Sequence, residues 1–294
     1  MEKRNIKILK KILENLKVKK GDNIYLGLDI FKLYETLNIK KINRFDFVKE
    51  ILDFFLRILG KNGNLIIPVF DFNSVKEKKF NQRLSSSDSG ALGGLLLKDY
   101  YKYRIGTPFY SFLCFGKKMN TYKRVKDPHT VGKNSLWKYF IKDNFYLLTL
   151  GHHYSRSFTH VHHLEYLANV KYRYDKNFEL LYTNLNNQTK KNKITLYVRN
   201  RKLCEYSAIT KQCDYLLLKN EISKFYKYKK LICFKVDIRK SSQLILEDLE
   251  NKAPKLVSVI KKNKENNEII SYENIDFIEK KYLNNSINPY KITS

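Results

Sequence analysis

The sequence predicts an α/β fold, a layered sheet flanked by helices, and three observations predict it. From the first residues onward the chain reads helix, strand, helix, strand, with short connections. The apolar runs at 23–28, 64–69 and 145–150 have strand length and are set off by glycine or polar residues, as buried strands are. The 294-residue chain is 43% hydrophobic, enough for a sizeable core, and no composition shift marks an internal boundary.

Each element has its own local warrant. Residues 2–18 place Ile6, Ile8, Leu9, Ile12, Leu13 and Leu16 at helical spacing with lysine on the polar face. That pattern reads as a helix packed on a core, with a basic helix lying on a membrane as the alternative. Gly21-Asp22 ends it, and NIYLGL (23–28) is the first strand. Residues 44–60 form a strong helix with Phe47, Ile51, Phe54, Phe55 and Ile58 on one side and Gly60 closing it. NLIIPV (64–69) is the second strand. Residues 70–89 are polar and run into SSSDSG (85–90), with a helix following over 91–101. A polar, glycine-bearing loop entering a helix leaves free N–H groups for an anion.

Residues 104–116 read as a loop and then a strand, and 134–141 as a short helix around Trp137, the sole tryptophan and a core anchor. Residues 145–150 are a buried strand closed by Gly151. Beyond Tyr174, residues 178–200 suggest a hairpin, 214–228 a helix, 230–238 a strand, and 241–262 a helix broken at Pro254. One domain is expected over 1–262, with a polar C-terminal tail over 263–294.

The stretch from Phe145 to Tyr174 holds five of the six histidines: His152, His153, His160, His162 and His163. Thr159 stands where a helix N-cap belongs, ahead of HVHHLEYLA. On that helix His162 and Glu165 are three apart and share a face, with Tyr166 beside them. A base with a carboxylate to orient it, just beyond a strand end, is a catalytic pair. The plainer reading is a surface helix rich in histidine.

The totals bound the partners. Net charge is +28, which favours anionic partners. The lysines are spread along the chain, however, and the abundance of Lys, Asn, Ile and Tyr with little Ala, Gly or Pro is what an AT-rich genome produces. Cysteines stand at 114, 204, 213 and 233 without Cys-x-x-Cys spacing, as buried thiols of a reducing compartment do. The N-terminus lacks the features of a secretory signal, and no apolar run reaches the roughly 18 residues of a membrane span. The expected compartment is the cytoplasm.

Three blocks together resemble the aminoglycoside 3-N-acetyltransferase (antibiotic N-acetyltransferase) family over about residues 5–260. The first is the opening pattern through GKNGNLIIPVFDF (60–72). The second pairs SSDSGALGGLL (86–96) with RIGTPFYSFLCFG (104–116). The third and most specific is LLTLG, then Thr159, His162 and Glu165 in a T-x-x-H-x-x-E pattern, with Tyr172-Arg173 following. The resemblance implies the antibiotic N-acetyltransferase-like fold, not the GNAT fold, and transfer of an acetyl group from acetyl-CoA to a primary amine. His162 is the implied general base, oriented by Glu165. On the cofactor side it implies Ser87, Gly90, Ala91, Arg104, Ser111 and Thr159. Arg104 and Lys117 flank the matched segment and meet phosphates, while N–H groups near Ser87 to Ala91 or the hydroxyls of Thr159 and Ser111 stabilise the oxyanion. No metal is implied. Cys114 lies between apolar neighbours, so direct transfer in a ternary complex is preferred to an acyl-cysteine.

The sequence departs from the family pattern at Thr107 and Tyr110, both usually histidine, and in the unclear serine after the first strand. These changes point away from antibiotics and toward amino sugars of bacterial surface glycans, with an aminoglycoside-like acceptor as the other choice. Rival expectations are a metal-dependent hydrolase built on the His152–His163 cluster, a basic nucleic-acid-binding protein with 22 tyrosines, and an inactive family member. On the favoured reading the partners are a CoA thioester and an amino-sugar small molecule, without nucleic acid or a membrane span.

Overall fold

Side-chain caps start some of the helices in this chain, and others begin without one. The computed structural model describes residues 1–39, 43–204, 206–252 and 254–260. Helix α1 (Lys3–Asn15) buries Leu9, Ile12 and Leu13 and so packs on the core. It leads to strand β1 (Asn23–Leu28). Asp29 caps α2 (Ile30–Thr36) by accepting from the Lys32 N–H, a helix the sequence reading had left out. Asn43 caps α3 (Arg44–Leu59) by accepting from the Asp46 N–H, and β2 (Asn64–Pro68) follows.

The polar segment 70–89 contains α4 (Asn73–Glu77) and β3 (Lys79–Asn81) before α5 (Ala91–Tyr100). Residues 104–116 are two short strands around a turn, β4 (Arg104–Gly106) and β5 (Ser111–Gly116). Helices α6 (Met119–Lys123) and α7 (Leu136–Lys142) lead into β6 (Phe145–Leu150). Helix α8 (Val161–Leu167) carries His162 and His163. The expected hairpin is β7 (Arg173–Thr183) with β8 (Thr189–Arg199), followed by β9 (Tyr206–Ile209).

Two expected helices are corrected. Residues 214–228 divide into α9 (Lys211–Lys219) and strand β10 (Ser223–Tyr228), because Glu221 takes a left-handed conformation and the following residues join an antiparallel ladder. Strand β11 (Leu231–Asp237) precedes α10 (Ile238–Leu249), capped by Asp237. Beyond Pro254 the chain is not helical: β12 (Val257–Ile260) pairs with β9, as suits a β-branched run after a proline. The tail over 263–294 lies outside the described residues.

Seven strands form the central sheet in the order β10-β11-β6-β1-β2-β5-β4. Strands β6, β1 and β2 are parallel and the outer strands antiparallel. The central strands are buried on both faces, which is why they read as unbroken apolar runs. Ile24, Leu26, Leu65, Ile67 and Leu148 face α1, α2, α3 and α5. Tyr25, Ile66, Phe112 and Leu147 face α7, α8, α9 and α10, with Trp137 set edge-on to Tyr25 and Phe112. A three-stranded sheet, β3-β7-β8, has its own small core of Phe80, Leu180, Ile194 and Leu196. The parallel strands end together at Leu28, Pro68 and Leu150, the edge where α/β sheets gather their ligands.

One histidine belongs wholly to this core. His160 is fully buried against Phe158, with ring centroids 4.0 Å apart, and neither ring nitrogen has a hydrogen-bond partner among the described residues. Burial holds its pKa down at about 3. A histidine in the unfolded chain titrates near 6.5, so the stabilising effect of keeping this ring neutral is complete above that pH. It is lost as the pH falls from about 6.5 toward 3. His160→Leu removes this titration. It is expected to flatten the dependence of unfolding free energy on pH by up to about 1.4 kcal/mol per pH unit in that window. Urea denaturation of both proteins at pH 7, 6 and 5 measures it.

Candidate active site

Helix α8 brings its one accessible imidazole to a carboxylate. The three-residue spacing puts His162 over Glu165, and His162 Nδ1 lies 2.7 Å from Glu165 Oε2. Because the carboxylate only accepts, Nδ1 carries the hydrogen and Nε2 is left as a proton acceptor. Glu165 is fully buried, and its other contacts come from outside the helix. The Tyr172 hydroxyl donates to Oε1 at 3.0 Å, and Arg173 Nε sits 2.7 Å from Oε2. The Arg173 contact is ionic and lacks hydrogen-bond alignment at Nε. Its terminal nitrogens donate to the Tyr197 carbonyl and the Ser207 hydroxyl. Burial alone would raise the pKa of Glu165, but His162, Arg173 and Tyr172 together hold it below the ordinary carboxylate value.

His162 opens into a cavity of 470 Å³, walled by Tyr110 from the β4–β5 turn, Thr159 before α8, Arg173 and Arg199 at the ends of the hairpin strands, and Arg201 beyond. A second cavity of 240 Å³ lies at the carboxyl ends of β1 and β2, against Gly90 at the start of α5. Arg156 lines both and stands where they meet. Two glycines make the second site possible. A Cβ on Gly27 would fall 2.3 Å from Ser157 Oγ, and one on Gly93 would fall 2.4 Å from the Pro68 carbonyl, so α5 and the 152–157 loop both close directly onto strand backbone.

The loop before α5 is held from beneath by Arg104. That side chain is 1% exposed and donates to the Ser85, Ser86 and Val69 carbonyls and to Ser111 Oγ, while lying 4.6 Å over the Phe80 ring. Burial lowers its pKa to about 10, with Asp71 opposing that shift. Arg104→Met leaves those buried carbonyls short of donors. It is expected to cost about 2–4 kcal/mol, read as a drop in thermal and urea stability.

The comparisons with known proteins follow from this geometry. A profile of the aminoglycoside 3-N-acetyltransferase family matches residues 38–245. The chain belongs to that family.

As a member it is an acyltransferase that uses acetyl-CoA. Solved structures share its fold: AAC-VIa bound to sisomicin superimposes with a TM-score of 0.67 at 13% identity, covering 83% of this chain and 97% of that one. AAC-IIIb in binary complex with CoASH gives 0.66 at 16% identity, covering 83% and 96%. YokD of Bacillus subtilis gives 0.61 at 15% identity, with the same coverage. No curated protein sequence matches the chain.

Against this family frame, the residues expected from the sequence scatter in an instructive way. His162 and Glu165 form the pair already described, and Thr159 lines the large cavity beside them. Thr159 is not the N-cap: His160 holds that position in helical conformation without a side-chain cap. Gly90 lines the small cavity, with Ser87 and Ala91 next to it in the same loop and helix start. Arg104 and Ser111 are corrected as cofactor contacts, because both are buried with their polar atoms occupied by each other and by backbone.

The histidine run does not converge. His152 Nε2 is 2.9 Å from Ser157 Oγ, His153 Nδ1 is 2.8 Å from Ser155 Oγ, and His163 Nδ1 is 2.8 Å from the Val131 carbonyl. Among the described residues no three His, Cys, Asp or Glu side chains group as a metal site, so the hydrolase reading finds no ligand set there. Cys114 is buried, with its thiol pushed up to about 12 by desolvation, which disfavours an acyl-cysteine. No helix among the described residues is long and apolar enough to cross a membrane.

Sequence reasoning missed Arg156, Arg199 and Arg201 as site residues, and it took Arg173 only as part of the family pattern. Their one signal was position: each arginine flanks a loop or strand end. Tyr110, one of the departures from the family pattern, lies in the cavity wall, whereas Thr107, the other, accepts from the Tyr110 N–H at 3.0 Å behind it.

Proposed function

We propose that this acyltransferase moves the acetyl group of acetyl-CoA to the primary amine of an amino sugar, with His162 as general base and Glu165 as its orienting partner. The observation that carries the reading is the His162–Glu165 pair at 2.7 Å, with His162 lining a cavity of sugar size. The acceptor nitrogen attacks the thioester carbonyl carbon, forming the C–N bond. Its proton passes to His162 Nε2 and the carbonyl oxygen becomes an oxyanion. Collapse of that adduct breaks the C–S bond, and the proton held on His162 is available to the departing CoA thiolate. Glu165 remains ionised throughout and stabilises the imidazolium.

The CoA arm is assigned to the smaller cavity, beside Gly90 and the N–H groups near Ser87 and Ala91, and the acceptor to the larger one. The Thr159 hydroxyl is the candidate oxyanion donor on the acceptor side. The compartment proposed is the cytoplasm, where the four buried free thiols stay reduced.

Thiol release from acetyl-CoA with free amino sugars, nucleotide-linked amino sugars and one aminoglycoside tests the reading. Release with a sugar supports it. Release with the aminoglycoside alone overturns the acceptor assignment, and failure to bind CoA overturns the whole of it.

A further inference from the structure

The large cavity is electropositive in a way that the chain's overall charge does not explain. The lysines are dispersed, yet this wall gathers Arg156, Arg173, Arg199 and Arg201, and no Asp or Glu appears among its described lining residues. Glu165 lies behind His162 and is matched by Arg173. Guanidinium is the side chain suited to phosphate oxygens, offering paired N–H donors at fixed geometry with less hydration to lose than an ammonium. A polycationic acceptor would meet like charge here. Phe109, Tyr110 and Tyr197 supply flat apolar faces for a sugar ring or base alongside.

We propose that the acceptor is an amino sugar carrying a phosphate or diphosphate, bound through Arg199 and Arg201 at the rim while its amine reaches His162. This rests on the acetyl-transfer reading for the amine and on the arginine wall alone for the anion. Both rim arginines are exposed, so their replacement does not empty the core. The anion selects and positions the acceptor without entering the reaction.

The experiment has two arms. In the first, glucosamine, glucosamine 1-phosphate, UDP-glucosamine and one aminoglycoside are titrated calorimetrically into the CoA-bound protein. Wild type and the double variant Arg199→Gln/Arg201→Gln are compared, with melting temperatures confirming that both fold. The phosphorylated sugars are expected to bind wild type at least about tenfold more tightly than glucosamine, with the preference falling at high salt and in the double variant. In the second arm, acetyl transfer to the phosphorylated acceptor is measured. The double variant is expected to raise the KM for that acceptor at least about tenfold, while the KM for acetyl-CoA moves far less.

Equal binding of glucosamine and its phosphates, or tighter binding of the aminoglycoside, overturns the proposal. A rise confined to the KM for acetyl-CoA also overturns it, since the arginines would then serve the CoA phosphates. Arginine-dependent phosphate-sugar binding without transfer leaves the anion site standing and overturns the transfer reading instead.

Discussion

His162→Ala is expected to lower kcat/KM for acetyl transfer by roughly 10²–10⁴, with thermal stability and CoA binding nearly unchanged. The magnitude is that of removing a positioned general base. The small structural effect follows because the imidazole is partly exposed at the cavity wall and its partner Glu165 keeps Tyr172 and Arg173. Imidazole added to the alanine variant should restore part of the turnover, since the truncated side chain leaves room beside the carboxylate that would orient it. Rescue distinguishes a chemical role from a packing role. Full activity in the variant would remove His162 from the mechanism.

Glu165→Ala is expected to damage both stability and rate. The side chain of Arg173 is 6% exposed and its charge is matched by Glu165, so truncation leaves a buried cation uncompensated, at a cost of about 3–5 kcal/mol. For a chain of this size that is a fall in Tm of roughly 5–8 °C. The rate should fall about 10²–10⁴-fold as His162 loses the group that fixes its tautomer. Glu165→Gln keeps the shape and loses the charge, so it should fold better than the alanine variant and remain slow.

The pH signature has a definite sign. The carboxylate is held below its ordinary value in the folded protein, so its stabilising contribution is complete above the unfolded glutamate pKa near 4.3 and is lost as the pH falls through the lowered folded value. That acid-side loss should be absent in both variants when unfolding is followed by urea titration. An unchanged Tm in Glu165→Ala would mean that Arg173 finds other compensation.

Legibility differed from residue to residue. Helix α3 was readable because Phe47, Ile51, Phe54 and Phe55 recur at helical spacing between a capping Asn43 and Gly60. Residues 223–228 were not, because SKFYKY carries both helical and alternating character, and pairing with β11 decided between them. Arg104 looked like a surface cation beside a phosphate loop. Its burial depends on the Ser85, Ser86 and Val69 carbonyls converging on one point, which no spacing rule records. The clustered histidines looked like one site, yet the turn at 154–157 and the entry to α8 send their rings in different directions.

From the sequence alone came the alternation of helices and buried strands, and the His162–Glu165 pair. These are local matters, set by side-chain period, capping chemistry and helix pitch. The site around that pair was decided by tertiary structure. Tyr110 arrives from the turn between β4 and β5, Arg156 from the loop after β6, and Arg173 and Arg199 from the first and last residues of a hairpin whose register pairs them. A cavity wall is a set of long-range contacts, fixed by how the layers pack and where the strands end, and neighbouring residues in the chain carry no record of which distant charge will face them.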